Sequence, residues 1–235
     1  MPSRARWAFL GGAIVPAVAL VVWTIASATG AVDSSRLVSP WSVVREAVDL
    51  AGRGRLASQV ALSLERLLTG FAFGSLVGLM LGGAVRLSRT ARILLTPTFN
   101  ALRAVPSLAW LPVVLVYLGI GEAPTVVAVA VGAMFPMFAT VAGANTRAPA
   151  IVTGLRLALA QSWLVLIAAE LLSASTGIGF LLLESSGHGR IARTLVVIAV
   201  LAALSKTGDA LLASLERRVR DDAATLGPER TPDHL

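Results

Sequence analysis

Four stretches of this chain contain no charged residue, and each is long enough, or nearly so, to cross a membrane. They cover residues 7–32, 67–85, 104–121 and 123–146. A transmembrane helix needs about 20 predominantly apolar residues, and hydrocarbon offers no partner for an unpaired backbone group. A membrane barrel would instead show short strands of alternating polarity, which these runs lack. The chain is therefore expected to cross the membrane as helices.

Two further apolar regions are interrupted by single charges. Residues 150–183 contain Arg156 and Glu170, and residues 194–215 contain Lys206 and Asp209. The whole chain is 56% hydrophobic and only 14% charged, which is too apolar for an ordinary soluble domain. Together these regions predict an all-α integral membrane fold with six transmembrane helices, at residues 9–29, 60–85, 93–118, 124–144, 150–172 and 194–215.

The net charge of +7 comes from basic residues that lie between and beside the apolar spans. This placement favours anchoring at a lipid surface over binding to nucleic acid. Arginines are more frequent on the side that holds both chain ends, so the N- and C-termini are predicted to be cytoplasmic. Arg4, Arg6 and the Ala26-Ser27-Ala28 segment leave a cleaved signal peptide open as an alternative to an uncleaved first helix.

The linker at residues 31–59 contains an expected amphipathic helix. Ser39-Pro40 is typical of a helix start, with proline in the first turn. Apolar residues then recur at helical spacing against charged ones: Trp41, Val44, Val48 and Ala51. This helix could lie at the membrane interface or pack on the bundle as a cap, and the sequence favours neither.

Two of the predicted spans have unusual small-residue or proline patterns. In the second, a glycine recurs at every fourth position, which places all four on one slowly winding face: Gly70, Gly74, Gly78 and Gly82. That face is expected to allow close helix packing, inside one subunit or between two. The third span contains Pro97, Pro106 and Pro112, which predict either a bent helix beside a cavity or a structural kink.

Four sequence blocks resemble, in order, the conserved core of binding-protein-dependent permeases of ABC importers. They cover residues 62–83, residues 100–122 with Ala-Trp-Leu-Pro and Gly-x-Gly-Glu, residues 135–143 and residues 154–182. The closest branch resembles the nitrate, sulfonate and taurine permeases. The resemblance implies a multi-pass protein of the bacterial inner membrane that imports a small anion. It also implies two permease copies, most simply a homodimer, an extracytoplasmic binding protein and cytoplasmic ATPase subunits.

The chain has no phosphate-cradling Gly-x-x-x-x-Gly-Lys-Ser/Thr loop, so it is expected to bind no cofactor, with ATP held by a partner. The family's cytoplasmic Glu-Ala-Ala motif, which receives force from the ATPase, is also missing between the fourth and fifth spans. Only Asn145, Thr146 and Arg147 stand between segments that match its two flanks. Fully extended, residues 143–149 reach at most about 20 Å, enough for a turn at 144–149 but not for a coupling helix.

The charged residues inside the spans are the candidate functional residues, because intramembrane charges are costly. Arg103 and Arg156 could contact a permeating anion or simply snorkel to the interface. Glu170 is expected to pair with a neighbouring helix rather than to handle ions or protons. Lys206 and Asp209, three residues apart, share a helix face and are expected to pair.

The sequence thus divides into an N-terminal helix (1–30), an extracytoplasmic linker (31–59), a permease core of five spans (60–218) and a polar tail (219–235). No catalytic or metal-binding constellation is found, and His188 in a glycine-rich loop is expected to be solvated. A membrane enzyme is therefore disfavoured. Two hypotheses remain: an active importer permease, or a permease that folds in the membrane but does not engage an ATPase.

Overall fold

The computed structural model describes residues 3–29, 37–143 and 147–225, and these residues form an all-α fold. The expected fold class is confirmed. The helices are α1 (Ser3–Ala28), α2 (Pro40–Gly52), α3 (Arg55–Leu87), α4 (Arg89–Ala104), α5 (Leu111–Leu118), α6 (Glu122–Gly143), α7 (Arg147–Ser173), α8 (Ile178–Gly187) and α9 (Ile191–Thr225), with a short 3₁₀ turn at Ser107–Trp110 between α4 and α5.

Four of the described helices are long and apolar enough to cross a membrane: α3, α6, α7 and α9. They contain the expected spans at 60–85, 124–144, 150–172 and 194–215, except that Ala144 lies outside the described residues. The first expected span, 9–29, falls in α1, whose side chains are described from Ile14 onward. Helix α9 continues to Thr225, past the expected core boundary at residue 218.

The expected third span, 93–118, is not one continuous helix. The chain bends by 91° between α4 and the 3₁₀ turn that leads into α5. Val105 takes an extended conformation, with φ −77° and ψ 125°, because the ring of the following Pro106 disfavours helical geometry at the preceding residue. Pro97 inside α4 and Pro112 in the first turn of α5 do not end their helices.

The core is built where α3 and α7 pack against α6, with α9 on the other side of α7. Its centre contains Leu67 of α3, Val129 of α6 and Leu166 of α7, all at most 2% exposed. Helix α4 is held to α6 by Phe99, whose ring centre lies 4.5 Å from that of Phe138. Two ends of the bundle can be named: the Glu122 end, where α6 begins, and the Gly143 end, where it finishes.

The glycine face of α3 lies directly against α6. A Cβ atom at Gly70 would come within 2.7 Å of the Val126 carbonyl oxygen, and one at Gly78 within 2.5 Å of that of Met134. At Gly74 it would overlap the carbonyl oxygen of Ala130, and at Gly82 it would meet the side chain of Val141. The glycines therefore let two backbones of the same subunit approach more closely than any side chain would allow.

Helix α2 packs on the Glu122 end and also keeps an apolar stripe exposed. Leu50 is buried, and the Nε of Arg193 on α9 donates to Glu46 at 2.6 Å. On the other side, Trp41, Val44 and Val48 are each at least 51% exposed. The contacts of one face fit the alternative of a cap on the bundle, and placement of the exposed face at the membrane interface stays a prediction.

Candidate functional site

Arg66 on α3 lies near the Glu122 end and is only 3% exposed. Its Nη1 donates to Glu170 Oε1 on α7 at 2.8 Å and to the Thr176 carbonyl oxygen at 2.7 Å. Its Nε and Nη2 donate to the two carboxylate oxygens of Glu122 at the start of α6. One guanidinium therefore joins α3, α6, α7 and the segment that follows α7.

Glu170 is completely buried, and its remaining acceptor capacity is also used. The hydroxyl of Ser63 donates to Oε1 at 2.6 Å, and the backbone N–H of Gly179 donates to Oε2 at 2.8 Å. A Cβ at Gly177, whose φ is +111°, would overlap this carboxylate. A buried carboxylate is tolerated when it is paired and fully hydrogen-bonded, and these contacts supply both conditions. This set of residues is called the Arg66 cluster below.

A second ionic network joins α7 and α9 toward the Gly143 end. The guanidinium of Arg156 donates to Asp209 Oδ1 at 2.8 Å and to Glu216 Oε2 at 2.6 Å. Glu216 also accepts from the hydroxyl of Thr153 and from Arg220, each at 2.7 Å. The expected pair between Lys206 and Asp209 is wrong, because Arg156 on the neighbouring helix occupies the carboxylate of Asp209. The partner of Asp209 is therefore set by the packing of α7 on α9 and not by the spacing of residues along α9.

This choice of partner can be measured by double-mutant cycles for detergent-solubilised protein. Combining Arg156→Gln with Asp209→Asn should give a coupling free energy clearly above experimental error, because each single change removes the same contact. Combining Lys206→Gln with Asp209→Asn should give a coupling within error, since the two side chains do not meet. A larger coupling for the Lys206 cycle would contradict the network described here.

Two adjoining cavities lie beside the bend between α4 and α5. The larger, about 650 Å³, opens at the Gly143 end and is lined by residues of α3, α4 and α6: Val85, Arg86, Arg92, Thr96, Asn100, Arg103, Phe138, Ala139, Ala142 and Gly143. The smaller, about 300 Å³, shares Arg103 and Ala139 with it and reaches Ser107 and Gln161. Arg103 thus stands at the junction of the two spaces.

Comparison with known proteins gives the chain its family. An Escherichia coli protein whose name describes an aliphatic sulfonates transport permease is 32% identical over 231 residues, which cover 86% of this chain and 88% of that protein. The chain belongs to the binding-protein-dependent permeases of ABC importers. The family profile, described as a binding-protein-dependent transport system inner membrane component, matches residues 146–221 of the permease.

Two other relatives extend the comparison. A taurine transport system permease protein of Escherichia coli is 29% identical over 240 residues, or 86% of each chain. A nitrate import permease protein of Synechocystis is 28% identical over 244 residues, or 88% of each chain. The permease therefore matches members of the nitrate, sulfonate and taurine branch along most of its length.

The residues selected from the sequence fall in three separate places in the permease. Glu170 is in the Arg66 cluster, Arg156 is in the α7–α9 network, and Arg103 lines both cavities. Asn145 and Thr146 of the shortened turn lie outside the described residues, and Arg147 begins α7 with its side chain outside them. In the described parts of the chain, no three metal-ligating side chains cluster.

Sequence reasoning missed Arg66, the centre of the most buried cluster. It lies inside the expected span at 60–85, but immediately before the uncharged run at residues 67–85, and it was not selected as a candidate. The available signal was its place as the seventh residue of that expected span; in the structure it lies eleven positions after Arg55, where α3 begins. An arginine at that depth requires a partner inside the protein.

Proposed function

We propose that this permease is the membrane subunit of an ATP-driven importer for a small anion such as a sulfonate, taurine or nitrate. The observation that carries the proposal is the alignment, over 86–88% of this chain, with permeases named for sulfonates, taurine and nitrate. The permease would form the translocation path, while another subunit binds and hydrolyses ATP. No cofactor is assigned to the permease itself.

The proposed partners are two cytoplasmic ATPase subunits, an extracytoplasmic binding protein and a second permease copy in a homodimer. The Gly143 end would face the cytoplasm, with both chain termini on that side. The arginine distribution supports this orientation: Arg86, Arg89 and Arg92 lie where α3 meets α4 at that end, while the short turn from α5 to α6 carries no basic residue.

The coupling segment for the ATPase is proposed to be shortened in this chain. Helix α6 ends at Gly143 and α7 begins at Arg147, so only three residues separate two antiparallel helices. The alignment with the sulfonate permease is 231 positions long, but it covers only 86% of the 235 residues of this chain. The relative therefore has additional residues within the aligned region. The family profile match also begins at residue 146, inside this junction.

A connection this short has a direct consequence for energy transfer. A conformational change is driven only by contacts that differ between two states. Three residues can reverse the chain direction, but they cannot also form a helix that lies across the membrane surface in a groove of the ATPase. The alternative function is therefore a coupling-deficient or degenerate permease, which folds in the membrane but does not engage an ATPase.

Co-purification and ATP hydrolysis distinguish the two functions. The permease would be expressed with a candidate ATPase subunit and a candidate binding protein, and hydrolysis would be measured in vesicles with taurine or an alkanesulfonate. An active importer should retain the ATPase and show faster hydrolysis with loaded binding protein. The coupling-deficient form should do neither, and insertion of a relative's Glu-Ala-Ala loop after Ala144 should then restore ATPase binding.

An insertion of equal length made of glycine and serine is the matched control, because it restores reach without the recognised helix. If both insertions failed to recover ATPase binding, the shortened turn would not be the defect. If the unmodified permease bound the ATPase, the segment at residues 86–92, where α3 meets α4, together with the basic end of α9, would be the proposed replacement contact. Charge reversal at Arg86, Arg89 and Arg92 should then abolish that association.

A further inference from the structure

We propose that the larger cavity beside α4, called the basic cavity below, is a binding site for one small oxyanion and that Arg103 contacts the anion. The inference rests on the proposed transport of an anion and assigns a position to it inside the subunit. The ligand class is a singly charged group with three or more acceptor oxygens on a small organic or inorganic body. An alkanesulfonate is the simplest member.

Polar residues follow one face of α4 and its continuation past the bend. On α4, Arg92, Thr96, Asn100 and Arg103 are separated by four, four and three positions, which is helical spacing, and Ser107 follows after the bend. Each of them lines one of the two adjoining cavities, and Arg103 lines both. A helix face that packs against lipid is apolar. This face of α4 is instead polar, and it borders an open cavity.

The opposite wall of the basic cavity is formed by α6. Beside Phe138 it consists of three small residues, Ala139, Ala142 and Gly143. These residues leave room for a ligand between the two helices. The volume of about 650 Å³ falls within the usual range for small-molecule sites, about 300–1,000 Å³. Ala139 is also shared with the smaller cavity, so the space continues past Arg103 toward Gln161.

Two arginines that line the basic cavity, Arg92 and Arg103, form no ion pair with an aspartate or glutamate that the structure describes. The other two arginines inside the bundle differ in this respect. Arg66 and Arg156 are each held by two carboxylates, whereas Arg103 makes no hydrogen bond or ion pair with any residue that the structure describes. Of the three, Arg103 alone has no carboxylate partner among the described residues.

A neutral donor stands beside this guanidinium. The exposed residue Asn100 lines the cavity wall about one turn before Arg103. Thr96 also lines the wall, but its hydroxyl oxygen is buried and lies out of reach of a ligand in the cavity. Arginine and amide donors together suit an oxyanion, which presents acceptors in several directions and carries the complementary charge.

The chain contains no cysteine, so a single introduced thiol reports on the basic cavity without background. The variant Ala139→Cys places the thiol on the wall, and Ala210→Cys on α9 is a control away from it. Each would be labelled with an anionic methanethiosulfonate reagent, which carries an ethylsulfonate, and with its trimethylammonium counterpart. In the cavity the anionic reagent should react faster by roughly tenfold, since clefts of one charge concentrate counterions. At Ala210→Cys the two rates should be similar.

Substitution at Arg103 tests which residue causes the preference. Arg103→Gln in the Ala139→Cys background should bring the rate ratio down to that of the control, while Arg103→Lys should retain most of it. Ethanesulfonate should slow labelling of Ala139→Cys and lose this effect in Arg103→Gln. Circular dichroism of each variant, and the same labelling of Ala142→Cys, would separate a change at the site from a change in folding.

The acceptor oxygens could also come from the phosphate of a lipid headgroup. Labelling in nanodiscs of phosphatidylcholine and of phosphatidylglycerol, each with and without ethanesulfonate, separates the two sources. Protection by ethanesulfonate in phosphatidylcholine supports the proposal. Protection only by phosphatidylglycerol, or equal rates for both reagents, overturns it. None of these measurements needs an ATPase, so a permease that fails to transport would leave the result intact.

Discussion

Replacing Arg66 with glutamine should lower the free energy of unfolding by about 3–5 kcal/mol, the usual cost of removing one partner from a buried ion pair. The reason is the position of Glu170, which is completely buried and would remain in the bundle without its cation. Glu122 would also lose its partner, but its side chain is 67% exposed and can be solvated. Denaturation of the purified protein in mixed micelles, followed by circular dichroism, measures this change.

Two comparisons make the result specific to the Arg66 cluster. Arg55→Gln removes an exposed pair with Glu184 at the same end of the bundle and should cost at most about 1 kcal/mol. The double variant Arg66→Gln, Glu170→Gln should be more stable than Arg66→Gln alone, because it leaves no buried charge unpaired. If Arg66→Gln cost no more than Arg55→Gln, the cluster would not hold the Glu122 end together.

Adding a single methyl group at Gly74 should destabilise the bundle by about 1–3 kcal/mol or more, the range for overpacking a tightly packed core. The new Cβ would overlap the backbone carbonyl oxygen of Ala130, and a backbone atom cannot turn aside as a side chain can. Helices α3 and α6 would have to separate along the whole face. The same denaturation assay on Gly74→Ala measures the effect.

Gly83→Ala is the matched control, because this glycine lies on the same helix and a Cβ there meets nothing within 4 Å. Alanine favours helix over glycine by about 1 kcal/mol, so this variant should be neutral or slightly stabilised. Gly82→Ala should fall between the two, since its nearest atoms, Val141 Cβ at 2.9 Å and the Phe138 carbonyl oxygen at 3.0 Å, are crowded but do not overlap the new Cβ as at Gly74. Equal stability of Gly74→Ala and Gly83→Ala would contradict close packing of α3 on α6.

The expected fold class and four of the expected spans could be predicted because the hydrocarbon interior imposes local rules. Each span must satisfy its own backbone hydrogen bonds and remain apolar over its length, and both properties are visible in consecutive residues. The third expected span is not one continuous helix, and the reason for this is also local in the sequence. Pro106 ends α4 at Ala104, and the chain turns by 91° rather than continuing as one kinked helix.

The candidate residues were harder to predict, because their roles depend on partners that are distant in sequence. Glu170 meets Arg66, which is 104 positions away, and Arg156 meets Asp209 across 53. Spacing along one helix suggested instead that Asp209 would pair with Lys206. Arg103 looked equivalent to Arg156 in the sequence, yet one lines an open basic cavity and the other is neutralised by two carboxylates.

By itself, the sequence determined that this chain is a helical membrane protein with the motifs of an importer permease, and that few residues connect the fourth and fifth spans. These properties follow from local hydrophobicity, motif order and chain length. Only the tertiary structure decided which intramembrane charges are neutralised, against which helix the glycine face of α3 packs, and where a basic space remains open. Those outcomes depend on which helices become neighbours, because burial and electrostatic pairing are properties of contacts between helices.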